Sequence, residues 1–460
     1  MTRPHAGDAM DRILALLEAE AGGDDFSHRV TWTYLIGVYL AANALRDAYL
    51  LVEGPDCAYM KAQYVQGNHD WLSTLTSVSG FHRLANTALH PAMMTDSREG
   101  PLRDMLLRLA RHDEAGGVLV TSMPMAFITG ADYERLCREV RDLTGRQVIH
   151  VPGLSLSGDW LDGYQQTLLS LAKQLELPDT ERGPRRVAVV GYLLDRNEED
   201  HAANLRELER MCAALDLELV STWLSGQGFG ELSRVAGAGT ILSLPYGRRA
   251  ARTLARRTGA RLLELPLPFG PTATEAWMRT LGGAFDRREA AEAFIDGEMS
   301  LIAPRLEWVI PFIFQGLSAG YVGDPHLMEG VTDILGLLGA KLPFAVITNR
   351  KAHLTAPAAE GTELLTGPRH KAFLRFLLRA LRRHEVSLVI TNNAGTMLPL
   401  ETAAVVEFGF PSVFTHALYD RPFLGFRGFM AFTDTLANTL RQAELARAQA
   451  GVLEGTTLPR

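Results

Sequence analysis

Short, continuously apolar runs rich in valine, isoleucine and leucine alternate along the chain with longer stretches in which apolar positions recur every three or four residues. The short runs have no polar alternation, as expected of strands covered on both faces, so the alternation predicts βαβ units built on parallel sheets. A first group of strands is expected at Ala48–Val52, Gly117–Thr121 and Val148–Val151. A second falls at Arg186–Val190, Leu217–Thr222, Thr240–Leu244 and Leu262–Leu265, and a third at Trp308–Phe314, Phe344–Thr348, Ser387–Thr391 and Pro411–Phe414. The polar stretch Leu177 to Pro184 reads as a linker, and Arg287 to Leu306 as a helical bridge. The pattern therefore predicts an α/β protein with three units in series, at 28–180, 185–290 and 300–440. An N-terminal helix (1–27) and a C-terminal tail (441–460) flank them. In open parallel sheets ligands sit at the carboxyl ends of the strands, so the residues that follow each strand are the place to look for chemistry.

Composition narrows this picture. A chain of 460 residues is too long for one ordinary core, since domains run to about 100–200 residues. Hydrophobic residues make up 47% and charged residues 22%, which fits a globular chain. The net charge of -7 argues against a nucleic-acid binder, which needs basic faces to displace phosphate counterions. The most apolar stretch, around Trp308 to Leu317, falls far short of the ~20 residues that span a bilayer. Met1 to Gly23 lacks a basic start followed by an apolar run, so no signal peptide is expected and the expected location is the cytoplasm. Three cysteines, Cys57, Cys137 and Cys212, do not make a disulfide framework.

Candidate chemistry is sparse. P-loop, GxGxxG, HExxH, CxxC and GxSxG patterns are absent. The glycine cluster Gly226-Gln227-Gly228-Phe229-Gly230 follows a strand, and reads either as a close approach to a ligand or as a turn. Asn392 and Asn393 follow a strand and open a helix expected around Leu400–Glu407, where they either expose N–H groups to an anion or cap the helix. Arg248, Arg249, Arg252, Arg256 and Arg257 share one predicted helix, as a solvated face or a surface for an acidic partner. His69-Asp70 and His82 cluster after the first strand. Cys137 and Cys212 sit at core positions of helical patterns, whereas Cys57 lies in the loop after the first strand, where a functional thiolate is expected.

At that loop the sequence becomes recognisable. Ile36 to Tyr59, with its Glu53-Gly-Pro-Asp-Cys57, resembles the N-terminal segment of the nitrogenase component 1 family, in which a helix leads to a strand ending in His-Gly-Pro-x-Gly-Cys. Gly117 to Asp132 resembles the family's strand ending in Cys-Pro, and Val151 to Gly158 its next strand. Gly163-Tyr-Gln-Gln166 looks like the helix that follows. Gly323-Asp-Pro325 resembles the opening of the third unit, and Glu407 to Phe429 the C-terminal signature. The resemblance covers nearly the whole chain and implies three Rossmann-like units.

The family implies a [4Fe–4S] or related cluster at a subunit interface, and it commonly places three cysteines there. Here the corresponding positions are Thr33, Cys57 and Met123, and the loop is one residue shorter. The resemblance leaves Cys57 or Asp56 as the metal ligand from this chain. The rest would come from a three-cysteine sister subunit in a hetero-oligomer, or from a second Cys57 in a homo-oligomer. An iron–molybdenum cofactor is not expected, because Leu242-Ser-Leu-Pro245 stands where nitrogenase carries its cofactor cysteine. His416 lies near the position of the cofactor histidine and is the candidate catalytic residue; Gly226, Gln227, Asn349, Asn392 and Asn393 are the candidate pocket residues. The implied function is a subunit of an ATP-dependent reductase that takes electrons from an iron–sulfur ATPase and reduces an organic small molecule. The alternatives are a scaffold or cofactor-maturation partner, and a metal-free small-molecule binder.

Overall fold

The computed structural model describes residues 6–19, 25–76, 82–154, 157–396, 398, 400 and 403–455. Among the described residues thirteen strands form three sheets, and every pairing between named strands is parallel. The first sheet holds β1 (Ala48–Glu53), β2 (Leu84–Asn86), β3 (Gly117–Ser122) and β4 (Val148–His150), in the order β2-β1-β3-β4. The second holds β5 (Gly183–Val190), β6 (Glu218–Thr222), β7 (Ala238–Ser243) and β8 (Arg261–Glu264), in the order β6-β5-β7-β8. The third holds β9 (Ser318–Gly323), β10 (Lys341–Ile347), β11 (Glu363–Thr366), β12 (Leu388–Thr391) and β13 (Ala404–Glu407), in the order β11-β10-β9-β12-β13. In each sheet the strand order reverses beside its first strand, and that reversal opens a crevice at the carboxyl ends.

Two expected strands are not strands. Trp308–Phe314 is the end of a long helix, Arg288–Val309, continued by a wider turn at Ile310–Phe314. Its helical period is visible in the buried positions Ile295, Ile302 and Leu306, while Trp308 and Phe312 face outward. The strand lies just beyond, at Ser318–Gly323. Its glycines hid it, although Gly320 is required there, because a Cβ would fall 2.2 Å from the Phe344 ring. Pro411–Phe414 is likewise irregular chain, and the fifth strand of the third sheet is Ala404–Glu407, inside the stretch expected to be helical. Ala-Val-Val-Glu is short and β-branched, which favours a strand; the helix opened by Asn393 ends at Thr396. The edge strands β2 and β11 had no counterpart in the sequence reading. The terminal helix Gly425–Gly455 runs through most of the expected tail; residues 456–460, 1–5 and 20–24 lie outside the described residues.

The three sheets share one continuous apolar core, running from Tyr34 to Leu440. Its densest crossing joins Tyr34–Asn43, every residue of which is buried, to Trp160–Gln174. A Cβ on Gly37 would lie 1.8 Å from the Trp160 carbonyl oxygen, and one on Gly163 would lie 1.9 Å from that of Tyr34. Only glycine permits this reciprocal approach of two backbones. A second cluster packs the N-terminal helix Ala6–Ala19 and His370–Arg383 on the outer face of the third sheet. A third packs Glu99–Ala110 and Tyr133–Thr144 on the first sheet.

The arginine-rich helix Arg248–Thr258 is largely tied down within the molecule. Arg248 donates to the carbonyls of Ser243 and Leu265, Arg257 to those of Ala172 and Leu175, and Arg252 pairs with Glu264 at 2.6 Å. Arg249 and Arg256 remain exposed. Among the described residues, no helix is long and apolar enough to cross a membrane.

Candidate functional site

The loop after β1 carries Asp56, exposed, and Cys57, half-buried as the first residue of the helix Cys57–Tyr64. Glycine is required at Gly54, where a Cβ would meet the Met123 sulfur at 2.6 Å. Met123 follows β3 and joins Thr33, Ser122, Pro124 and Lys61 around one cavity of about 470 Å³. Lys61 is one helical turn beyond Cys57, so the two share a helix face. Of the three positions expected to match the family's cysteines, Thr33 and Met123 line this cavity and Cys57 stands one helical turn before Lys61 at its edge; of the three only Cys57 is a thiol. Behind the loop, buried Glu53 accepts from the Tyr133 hydroxyl and lies 3.5 Å from Arg98; burial raises its pKa. Cys137 and Cys212 are buried elsewhere, and burial pushes both thiols up to about 12. A [4Fe–4S] cluster takes four ligands, normally thiolates. Cys57 and Asp56 alone do not supply that set, so the residues of one chain do not fit the group.

A second centre lies where the strand ends of the second and third sheets face each other. A cavity of about 550 Å³ is lined by Tyr192 after β5, Tyr246 after β7, Asp324 after β9 and Glu407 at the end of β13. Gly191 makes the turn into it at φ 96°, where a Cβ would lie 2.4 Å from the Leu244 carbonyl oxygen. Beyond it, Asn204 reaches the Tyr192 hydroxyl (3.3 Å), which meets His201 Nδ1 (2.6 Å), whose Nε2 lies 2.5 Å from Asp195. The other Asp195 oxygen is 3.5 Å from Nε2 of His69, which is fully buried, and Ser412 N–H donates to His69 Nδ1. The relay therefore links the first unit, through His69, to the second and third.

Charge in this relay is fixed by proximity. Burial opposes ionisation of Asp195, but His201 and His69 outweigh it and hold the carboxyl well below its ordinary range. Burial disfavours the His201 cation, yet Asp195 and Asp200 leave its pKa raised. Asp324 has no such cation, and burial pushes it up to about 6, although Tyr246 donates to it at 2.9 Å. Neighbouring His326 is pushed down to about 3 by burial, and neither ring nitrogen has a hydrogen-bond partner among the described residues. An adjoining lobe of about 510 Å³ is lined by Arg196, Asp200, Glu407 and His416. His416 Nδ1 sits 2.6 Å from Glu198 and its ring stacks on Trp71 at 3.6 Å. Glu198 also accepts from Ala417 N–H, and Glu407 from Val413 and Phe414, so buried carboxylates clamp the 411–417 loop over the cavity.

The remaining candidates are scattered. Gly226 adopts φ 85° and donates to the Ala44 carbonyl, while the Gln227 carbonyl accepts from Arg46 N–H; both join the second unit to the turn before β1. Gln227 lines a separate groove with Glu209, Glu231 and Arg234. Asn349 is fully buried after β10, with both amide atoms unpartnered among the described residues. Asn392 is engaged with Phe410 O and Ala394 N–H. Asn392 and Asn393 line a cleft at the ends of β10 and β12. The sequence reading missed Tyr192, Asp195 and His201. Their signal was the charged run Asp195 to His201 placed directly after a strand.

Comparisons with known proteins agree on the ancestry of the chain. The family model described as nitrogenase component 1 type oxidoreductase matches residues 33–441. The nitrogenase molybdenum-iron protein beta chain of Clostridium pasteurianum is 22% identical over 324 residues, covering 64% of this chain and 68% of the relative. The light-independent protochlorophyllide reductase subunit N of Chaetosphaeridium globosum is 22% identical over 207 residues, covering 42% and 45%. That of Adiantum capillus-veneris is 34% identical over 126 residues, covering 26% of each. The chain thus spans less than half of these subunit N relatives. A solved structure titled nitrogenase Cp1 at pH 6.5 superposes with a TM-score of 0.76 at 16% identity, covering 91% of this chain and 94% of that one.

Proposed function

Because the chain belongs to the nitrogenase component 1 type oxidoreductase family, we propose that it is a subunit of a nitrogenase-like, ATP-dependent reductase. In this reading an iron–sulfur ATPase delivers low-potential electrons to the complex, and an organic small molecule is reduced. The Cys57 loop is the face toward a second subunit, because one thiol and one carboxylate need further ligands from outside the chain. This chain's own contribution is the central cavity. Arg196, His201 and the Tyr192 hydroxyl orient a small polar substrate, and His201, whose pKa Asp195 raises against burial, holds a proton at Nε2 within the relay.

The observation that carries the reading is the Tyr192–His201–Asp195–His69 relay, whose first three members line a cavity at the carboxyl ends of two parallel sheets in a chain of this family. The test is anoxic affinity purification of the tagged chain from its own cells. The expected product is a complex with a component 1-like sister subunit, containing iron and acid-labile sulfide that Cys57→Ala removes. A metal-free chain without such a partner would overturn the reading. Thr33 and Met123 in place of thiols favour a second reading, a scaffold or maturation partner. In that case the complex forms, but shows no ATP-dependent reduction when the iron–sulfur ATPase is added.

A further inference from the structure

The cleft at the carboxyl ends of β10 and β12 belongs to neither centre described above. It opens to about 880 Å³ and lies beside the strand-order reversal of the third sheet, the place where doubly wound units hold ligands. One wall is Thr348, Asn392, Asn393 and Ala394 at the strand ends, and the other is the segment His28–Trp32, leading into the first unit. His370, first residue of the helix His370–Arg383, closes one end.

Three features define what fits. The lining is mainly apolar and carries flat rings: Trp32, which stacks on Tyr64 at 4.1 Å, and His28, which stacks on His370 at 4.9 Å. Among the described residues lining the cleft none is an aspartate or glutamate, while Arg29 is a permanent cation and forms no ion pair with any described carboxylate. Asn393 accepts from the Tyr64 hydroxyl at 3.4 Å through its amide oxygen, and its amide nitrogen has no hydrogen-bond partner among the described residues. An apolar slot with aromatic walls, one unpaired guanidinium and a free amide donor is complementary to a flat conjugated ring bearing an anionic group.

We propose that this cleft is a binding site for a planar small-molecule anion, with its ring against Trp32 and the flanking imidazoles and its carboxylate or phosphate on Arg29 and Asn393. The site stands independently of the reductase reading, since it needs neither a cluster nor a partner.

The probes are 2-naphthoate, 2-naphthyl phosphate and the neutral 2-naphthalenemethanol, titrated calorimetrically into the full chain. The expected result is saturable binding of at least one anion, with the neutral alcohol at least tenfold weaker. The stronger of the two anions identifies the acidic group. Arg29→Ala, at an exposed position, should weaken the anion about tenfold or more and leave the alcohol unchanged. Trp32→Leu should weaken all three probes, and circular dichroism and the unfolding midpoint check that both variants fold. Equal binding of acid and alcohol, retention of binding in Arg29→Ala, or no binding of either anion at millimolar concentration would each overturn the proposal.

Discussion

Asp195 shows how one side chain can set the charge of a buried neighbourhood. It stands between two imidazoles, neither of which has another carboxylate so close. Removing one member of a buried pair leaves an uncompensated charge, at roughly 3–5 kcal/mol. Asp195→Asn should therefore lower unfolding stability by about that amount at neutral pH. The sign of its pH dependence follows from His201. In the wild type its raised pKa adds stability as pH falls. In the variant only the Asp200 charge still opposes burial, so the His201 pKa falls from its raised position and the penalty should grow as pH falls towards and below ~6.5, where the unfolded histidine protonates. Urea unfolding between pH 5 and 8 measures this, and a deficit that stays flat or shrinks toward pH 5 would refute it. The same residues mark what the sequence alone conveyed. Cys57, Thr33 and Met123 could be placed by motif, because motifs are local in the chain. Tyr192, Asp195 and His201 become a relay only when β5 delivers them opposite His69, more than a hundred positions earlier.

Among the elements, the crossing of Tyr34–Asn43 with Trp160–Gln174 is held by geometry more than by chemistry. Gly37→Ala would push a methyl group into the Trp160 carbonyl, so the helices must separate. Overpacking of this kind costs about 1–3 kcal/mol or more. The expected outcome is a loss of ~3 kcal/mol in urea unfolding with unchanged far-ultraviolet dichroism. An equally stable variant would show that the crossing can yield. Helix and strand identities were legible wherever burial imposes a period, as in β1, β3, β7 and β12. They were not legible where the same apolar run suits a helix and a strand, as at Trp308–Phe314, or where glycines thin the pattern, as in β9. Short edge strands such as β2 and β11 take their identity from a neighbour that the local sequence does not contain.

Across the whole molecule, an ionic clamp joins the first unit to the third. Asp159 and Asp162 open the helix Trp160–Gln174 and cap each other's backbone, while His353 and Arg350 arrive from the loop after β10. Three of these residues offer ligand atoms within 4.8 Å of one another. Two carboxylates facing a guanidinium and an imidazolium are already balanced, so the cluster acts as a clamp. Burial opposes the charge on His353, but both aspartates raise it to about 9. Burial likewise opposes ionisation of Asp162, which His353 and the Asp159 N–H nevertheless bring down to about 2. The His353 contribution is then complete below pH ~6.5 and is lost as pH rises through about 9. Asp162 contributes fully above its ordinary 3.8 and fails as pH falls through about 2. Wild type and His353→Gln should thus differ in urea midpoint by a constant gap at pH 5–6 that closes towards pH 10. A gap indifferent to pH would refute the clamp.

The shared core also bears on how the chain is made. Phe426, Phe429, Phe432, Leu436 and Leu440, on the last helix, are buried in the same core as the β5 strand and the Glu199–Ala213 helix of the second unit. Asn204, on that helix, receives the N–H groups of Phe423 and Leu424, and the carbonyl of Pro268 receives that of Gly425. On the ribosome, where segments otherwise fold in order of emergence, the second unit is finished only after the segment from Phe423 to Leu440 has left the exit tunnel. A ribosome that stalls before Phe423 therefore leaves behind a second unit without its closing helix, an unfinished middle rather than a shorter working protein.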